Sequence, residues 1–357
     1  MAGLTDLFAM ALKAMEVAPT NNTARCLNST EGAGACSACL DVCPHGAVSI
    51  ERLVQIDGVD CTGCGLCVRA CPSEALEMQT RLPSGSTAVR CSQVSGSAPS
   101  VRCLAQLSAT DMLRMGAATG NLKLGHGACD GCKVGAASVP SATRATAERA
   151  AELAAVLGKD LQVNVESVDR LDDEGRRRNV VSRRQLFGGG LKEAQRLAAD
   201  ALAPLERVLP GEEEGAAPDT EPLPHELRRR YQALQIADPE PTSAVPWRLP
   251  RVDDGCILCP ACTRACPTDA FSRDFSGEEG VLMLDPDRCV GCDACVRACP
   301  VKVITMDEEV TWGELSGGKQ EAYRPGKIVF DARQELDARF ARHALVAENH
   351  PNIRIIR

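Results

Sequence analysis

Aromatic residues and long apolar runs are scarce in this sequence, and its 40 basic residues are outnumbered by 48 acidic ones. Phe, Trp and Tyr make up 3% of the 357 residues, so large cores built on aromatic rings are not expected. No segment approaches the roughly 18–20 consecutive apolar residues that a membrane-spanning helix requires. The formal net charge of −8 disfavours nucleic acid as a partner, because phosphate binding requires a basic face. These absences predict a soluble protein with no transmembrane segment and no nucleic-acid partner.

Signals for secretion and for several common enzyme classes are also missing. Acidic residues interrupt the N-terminal segment, which therefore predicts an amphipathic helix and not the apolar centre of a signal peptide. We accordingly expect a cytoplasmic location. The sequence contains no P-loop, no G-x-G-x-x-G motif after a predicted strand and no recognisable hydrolytic triad. Nothing in it predicts that this chain alone makes or breaks a substrate bond.

Cysteine, in contrast, is abundant, with 20 residues. Sixteen of them fall into two copies of a paired Cys-Pro pattern, one near each end of the chain. The regular half of each copy reads C-x2-C-x2-C-x3-C-P, at residues 61–72 and 289–300, and the two halves agree at nine of twelve positions. Another Cys-Pro half precedes each, at residues 36–44 and 256–267. Disulfide-rich scaffolds are short secreted chains, so a disulfide framework is not expected here.

The spacing of these cysteines suits iron–sulfur clusters. A C-x2-C-x2-C loop directs three thiolates inward around a compact cage, and the fourth cysteine is carried away as the chain turns into a helix. In bacterial runs of this kind the fourth cysteine binds the other cluster, so two runs exchange ligands. Structural zinc also uses C-x2-C pairs, but it does not need a third cysteine at the same spacing or the trailing Cys-Pro. The pattern therefore predicts electron transfer.

Both ends of the chain resemble bacterial ferredoxins of the two-[4Fe–4S] type, over roughly residues 25–80 and 252–308. The resemblance implies four [4Fe–4S] clusters whose ligands cross between the two halves of each module. In the C-terminal module it assigns one cluster to Cys256, Cys259, Cys262 and Cys299, and the other to Cys289, Cys292, Cys295 and Cys266. In the N-terminal module the regular half implies a cluster on Cys61, Cys64, Cys67 and Cys43.

The first half of the N-terminal module departs from this pattern. Alanine occupies position 33, where the pattern calls for cysteine, while Cys26 lies ten residues before Cys36. The intervening segment contains Gly and Ser and is typical of a loop that leaves and returns. We therefore expect the fourth cluster to be bound by the following residues: Cys26, Cys36, Cys39 and Cys71. A three-iron cluster, with Cys26 free, is the alternative.

Four further cysteines, Cys91, Cys103, Cys129 and Cys132, lie between the two modules. Their segment alternates strand-like and helix-like patterns, which predicts a small α/β domain. Strand ends and the turns after them gather at one edge of such a sheet, so four thiolates are expected to converge there. The metal they would hold is a fifth iron–sulfur cluster or zinc. A redox-active Cys129–Cys132 pair is the third possibility, since C-x-x-C beside an α/β unit supports thiol–disulfide exchange.

The predicted fold class is α+β, with two ferredoxin-like dicluster modules that flank the small α/β domain and a Pro-rich linker. The predicted boundaries are an N-terminal amphipathic helix over 1–24, a dicluster module over 25–82, the α/β domain over 86–170, a basic and then Pro-rich linker over 171–250, a second dicluster module over 251–310 and a C-terminal tail over 311–357.

The function predicted from these features is that of an iron–sulfur electron-transfer subunit within a larger oxidoreductase. Its expected partners are redox proteins, namely a catalytic oxidoreductase subunit, a quinone-linked subunit or a soluble carrier. One alternative is an independent soluble polyferredoxin that carries electrons. A second is a redox enzyme whose Cys129 and Cys132 thiols are supplied with electrons by the clusters.

Metal counting separates the alternatives for the four central cysteines. About 16 irons per chain would indicate four cubane clusters alone, whereas about 18–20 irons would indicate a fifth cluster. One zinc per chain would instead indicate a structural zinc site. The measurement is iron, labile sulfide and zinc per chain in protein purified without oxygen.

Overall fold

The computed structural model describes residues 17–33, 35–51, 53–78, 86–173, 223–277 and 280–325. The helices of this part of the chain are α1 (Ala38–Asp41), α2 (Leu66–Ala70), α3 (Ala109–Gly116), α4 (Val139–Val156), α5 (His225–Ala237), α6 (Ala261–Ala265), α7 (Ala294–Ala298) and α8 (Trp312–Ser316). The strands are β1 (Thr20–Asn21), β2 (Val48–Ile50), β3 (Val54–Ile56), β4 (Leu76–Glu77), β5 (Ala88–Cys91), β6 (Ser100–Val101), β7 (Asn121–His126), β8 (Gln162–Ser167), β9 (Ala244–Val245), β10 (Leu249–Val252), β11 (Phe271–Asp274), β12 (Val281–Leu284), β13 (Ile304–Asp307), β14 (Val310–Thr311) and β15 (Gln320–Tyr323).

Each cysteine-rich end combines two short helices with pairs of short antiparallel strands. The N-terminal end pairs β1 with β4 and β2 with β3, and the C-terminal end pairs β10 with β13 and β11 with β12. All four Cys-Pro turns share a left-handed residue three positions after the cysteine, with φ of +65° at Gly46, +52° at Glu74, +53° at Asp269 and +55° at Lys302. A repeated turn of this kind ends the preceding helix or loop and sends the chain into the next strand.

The central segment forms a four-stranded parallel sheet in the order β6-β5-β7-β8. Helix α3 begins with a capping box in which Ser108 and Asp111 bond each other's backbone. Leucine and methionine fill the interior, as the low aromatic content predicts, and Leu104, Met112 and Leu122 have no exposed surface. Because the strands are parallel, their carboxyl ends lie at one edge, which is where the cysteines of this segment are found.

Helix α5 holds the three units together, although it lies in the segment whose composition predicts a linker. Leu227 and Leu234 are completely buried in the core that includes the central sheet. Tyr231 packs against Trp247 and Trp312, with ring centroids 6.5 Å and 5.9 Å apart. The predicted linker over 171–250 allows a short helix around residues 225–236, and the structure has α5 in that stretch, with a buried apolar face. Residues 174–222 lie outside the described part of the chain.

The two predicted terminal segments are only partly described. Residues 20–25 form β1 and a short 3-10 turn, so the predicted helix over 1–24 does not reach its predicted end, and residues 1–16 lie outside the description. At the other end, β15 pairs with β12 of the C-terminal module, and residues 326–357 lie outside. No helix among the described residues is both long and apolar enough to cross a membrane.

Candidate metal centres

The first group of cysteines surrounds Cys39. Burial, followed by the negative charges of Cys71, Cys36 and Cys26, raises the pKa of the Cys39 thiol to about 11. Asn28 closes the loop that returns from Cys26, because its side-chain amide bonds both the carbonyl oxygen of Cys36 at 2.6 Å and the amide nitrogen of Cys36 at 3.0 Å. The structure thus brings Cys26 to the three cysteines with which the sequence predicts it to act.

The second group lines one cavity, formed by Cys43, Cys61, Cys64 and Cys67 together with apolar side chains of β2 and β3. Burial, followed by the charges of Cys64, Cys61, Cys43 and Cys39, raises the pKa of Cys67 to about 12. Because the charge of Cys39 contributes to the raised pKa of Cys67, the first and second groups are neighbours.

The C-terminal module has the same organisation. Its third group, Cys266, Cys289, Cys292 and Cys295, lines a second cavity beside apolar residues that include Phe271 and Leu284. In the fourth group, burial and the charges of Cys256 and Cys259 raise the pKa of Cys262 to about 11. Cys299 is buried in the same apolar cluster as Cys262.

Two of the sulfur atoms that follow a helix accept a backbone hydrogen bond. The amide of Ala75 donates to Cys71 Sγ at 3.3 Å, and the amide of Ala270 donates to Cys266 Sγ at 3.2 Å. Both bonds come from the sequence Cys-Pro-Ser/Thr-acid-Ala, which places the alanine amide over the sulfur. Hydrogen bonds to ligand sulfurs favour the more negative, reduced state of an iron–sulfur cluster and so raise its potential. The other two Cys-Pro turns, at Cys43 and Cys299, do not carry this sequence.

The four cysteines of the central segment also come together. Cys91 ends β5, and the sheet places Cys103, Cys129 and Cys132 beside the same edge. Burial, together with the charges of Cys64, Cys129 and Cys132, raises the pKa of Cys103 to about 12. Burial and then the charges of Cys91 and Cys132 raise the pKa of Cys129.

Cys132 is the sulfur with the most hydrogen bonds in this central group. It accepts bonds from Gln93 Nε2 at 3.1 Å, from the amide of Gly135 at 3.3 Å and from the amide of Val134 at 3.4 Å. Three donors on one sulfur suit a thiolate better than a neutral thiol, which would not require them all. Gln93 belongs to no recognisable sequence motif. It reaches Cys132 because a turn brings residues 129–135 to the end of β5.

All five groups are built mainly of thiols, which suits iron–sulfur chemistry, although His45 lines the cavity of the second group and His126 Nδ1 lies 3.6 Å from Cys129 Sγ. Since many of these thiols have raised pKa values, a metal that binds them must displace protons. Among the described residues, no three Cys, His, Asp or Glu side chains converge closely enough to hold a single metal ion. A cubane cluster does not require such convergence, because each thiolate binds a different iron atom.

The central group adjoins the second group across a tight contact. Gln106 Nε2 donates to the carbonyl oxygen of Gly63 at 2.7 Å, and Thr62 Oγ1 donates to the carbonyl oxygen of Val134 at 2.7 Å. Gly65, with φ of +86°, lies so close to Gln106 that a Cβ atom there would come within 2.9 Å of its backbone. The loop that carries Cys61 and Cys64 is therefore fixed against the central segment.

The N-terminal and C-terminal modules also touch, and Ala33 is at the centre of the contact. Its side chain is completely buried, and it belongs to an apolar cluster with Leu27, Ala265 and Ala294. Arg297 Nε donates to the carbonyl oxygen of Ala33 at 3.2 Å. Cys36 and Cys292 pack against this cluster from the two sides. The position that lacks the expected cysteine is thus an interface residue.

Comparison with known proteins supports the two modules separately. A family model for the 4Fe-4S dicluster domain matches residues 34–75 and 255–309. The chain is 44% identical over 45 residues to a subunit of the ion-translocating oxidoreductase complex of Methanosarcina acetivorans, which is 12% of this chain and 17% of that protein. It is 39% identical over 44 residues to the pyruvate synthase subunit PorD of Methanothermobacter marburgensis, which is 12% of this chain and 52% of that protein. No solved structure matches.

These matches confirm the resemblance on which the ligand assignment is based. Both regions matched by the family model fall within the cysteine-rich ends. One relative is named as a subunit of an ion-translocating oxidoreductase complex and the other as a subunit of pyruvate synthase. The chain therefore contains a 4Fe-4S dicluster domain near each end, as the sequence predicts.

Proposed function

We propose that this chain is the electron-wire subunit of a larger oxidoreductase, with four [4Fe–4S] clusters and a fifth iron–sulfur centre on Cys91, Cys103, Cys129 and Cys132. Each bound cluster would accept and release single electrons. The observation that carries the proposal is that each cysteine group has another as its neighbour, both within the modules and across their boundaries.

These contacts support one linear order of the five groups. The central group neighbours Cys64 of the second group, and Cys67 of the second group neighbours Cys39 of the first. The alanine contact then brings the first group, through Cys36, to Cys292 of the third. Within the C-terminal module, Cys262 of the fourth group raises the pKa of Cys295 in the third. The order is central, second, first, third and fourth, with an end in each half of the molecule.

An iron–sulfur centre suits the central group better than zinc or a reactive dithiol. Zinc does not undergo redox chemistry, so it would add nothing to an electron path that begins beside Cys64. A nucleophilic thiol needs a lowered pKa, whereas burial and neighbouring charges raise the pKa of Cys129. The same features weaken the alternative of a Cys129–Cys132 thiol enzyme.

A fixed subunit is favoured over an independent carrier by the contacts between modules and by the relatives' names. A small mobile ferredoxin needs only one dicluster module, whereas here α5 and the central sheet hold two such modules in one arrangement. Both relatives are named as subunits, one of an ion-translocating oxidoreductase complex and the other of pyruvate synthase. The proposed partners are a catalytic subunit at one end of the path and a quinone-linked subunit or soluble carrier at the other.

Replacing Cys26 tests the ligand assignment in the first group. We expect Cys26→Ser to convert one cubane to a three-iron cluster, or to lose about four irons, because one of four thiolates is gone. Iron counting and electron paramagnetic resonance of the oxidised protein measure both. Thr30→Ala is the control, since it removes only the 3.0 Å bond to the Cys26 carbonyl oxygen. A three-iron signal already present in the unaltered protein, and unchanged in Cys26→Ser, would show that Cys26 is free.

Replacing Ala33 tests the step between the modules. Ala33→Asp buries an unpaired charge at the contact, so we expect the modules to separate while every cluster remains. The fully reduced protein should then lose the magnetic interaction between the first and third groups, measured by electron paramagnetic resonance, and hydrogen exchange in residues 294–298 should rise. Ala35→Asp, the same substitution at an exposed alanine two residues away, should change neither. An unaltered magnetic interaction in an opened contact would contradict the proposed order.

Isolation from the native host tests the subunit role. We expect anaerobic purification of the tagged chain to retain a catalytic oxidoreductase subunit in a fixed ratio, identified by mass spectrometry. The wash is repeated at several salt concentrations, because weak electrostatic encounters dissociate as salt rises. If the chain elutes alone at every concentration, with reducible clusters, the independent carrier is correct.

A further inference from the structure

A wide cleft separates the two modules on the side of α5. Its volume is about 1240 Å³, and it is lined by parts of α2, α4 and α5, by residues 244–248 and by the loop at 289–293. Pockets for small organic ligands typically have volumes of about 300–1000 Å³, so the cleft has room for such a molecule. No cysteine group fills it, although Cys71 and Cys289 reach its wall from opposite modules.

Three arginines from three different helices face this cleft. Arg69 lies in α2, Arg149 in α4 and Arg230 in α5. They are close enough to influence one another, because burial and then the charges of Arg230 and Arg69 lower the pKa of Arg149. Each arginine belongs to a different helix, so the fold places these three positive charges close to one another.

The acidic residues of the cleft leave these charges incompletely neutralised. Glu74 pairs with Arg230 at 2.5 Å, and its other oxygen accepts the Leu227 amide at 3.1 Å. Glu74 and Glu152 raise the pKa of Arg149, but by less than Arg230 and Arg69 lower it. The remaining acids are engaged with other arginines: Glu77 with Arg25, Asp111 and Glu226 with Arg229, and Asp293 and Glu308 with Arg248.

Arg69 and Arg149 have no carboxylate partner among the described residues. The Arg149 side chain donates from Nε to the carbonyl oxygen of Ala145 in its own helix at 3.3 Å. The Nε atoms of Arg69 and Arg230 are enclosed without a hydrogen-bond acceptor. Guanidinium groups bind oxyanions through paired N–H donors, and phosphate suits this geometry because it offers several oxygens and more than one charge.

We propose that Arg69, Arg149 and Arg230 form a binding site for the phosphate group of a small organic molecule in this cleft. The rest of the cleft accommodates the organic part, with Trp247 in its wall and the guanidinium of Arg230 5.2 Å from the Trp247 ring centre. The site stands on the arginines and the cleft, independently of which metal the cysteines bind. Its position beside Cys71 and Cys289 places the ligand next to one cysteine group of each module.

Pyrophosphate binding to the complete, cluster-loaded protein tests this site. Titration calorimetry at constant ionic strength should detect binding by the unaltered protein, with pyrophosphate as the probe and adenosine, which has no phosphate, as the non-binding control. Arg149→Gln and Arg69→Gln should each weaken pyrophosphate binding at least tenfold, since each removes a charged donor. Arg144→Gln is the matched control, because Arg144 is exposed on the same helix and lies outside the cleft.

Two outcomes would overturn the site. The first is pyrophosphate binding of equal strength in the unaltered protein, Arg149→Gln and Arg144→Gln, which would indicate an adventitious ion only. The second is that the unaltered protein does not bind pyrophosphate, while Arg149→Gln lowers the reduction potential of a cluster. This result would mean that the arginines serve only to offset the charge of nearby clusters. Iron content and circular dichroism confirm that each variant is folded, so a loss of binding cannot come from loss of structure.

Discussion

The crowding of thiols is the constraint on which the rest of this structure depends. Cysteines in each group lie near enough that burial and mutual charge raise their pKa values, to about 11 for Cys39 and about 12 for Cys67. Such groups resist becoming thiolates in the absence of metal, and iron–sulfur clusters reverse that cost by bonding each sulfur. The ends of the chain can therefore be small and nearly free of aromatic residues, because metal–sulfur bonds provide the cohesion that a larger apolar core would otherwise supply.

The parts of the chain outside the modules fix how these groups face one another. Helix α5 contacts all three units: Glu74 of the N-terminal module accepts the Leu227 amide, Glu226 accepts Thr110 of the central segment at 2.7 Å, and Tyr231 packs on Trp312. The central sheet holds the Cys61–Cys64 loop, and the alanine contact joins the modules directly. Electron transfer between separate sites requires short and constant separations, so a rigid frame of this kind serves the proposed path better than a flexible tether would.

Residues that act through local spacing could be recognised from the sequence, whereas those that act through distant contacts could not. The Cys-Pro runs predict the two dicluster modules because three or four residues fix the positions of the sulfurs. Ala33 could be recognised only as a missing cysteine, since its partner, Arg297, belongs to the other module. Arg297 and Arg69 occupy the same position of the Arg-Ala-Cys-Pro repeat, yet one bonds a backbone carbonyl and the other faces a cleft. Composition shows the many prolines before residue 250, but the burial of Leu227 and Leu234 depends on surfaces that composition does not describe.

The contact between Ala33 and Arg297 joins residues 264 positions apart, so it can form only after most of the chain has been synthesised. At the usual pace of about 5–20 residues per second, a ribosome needs roughly 13–53 s to proceed from one to the other. During that interval the nascent N-terminal module has no partner to cover its alanine surface, so the side of the first cysteine group that faces Cys292 stays open to water. This face of the first cysteine group is therefore covered only after the C-terminal module has been synthesised and has folded against it.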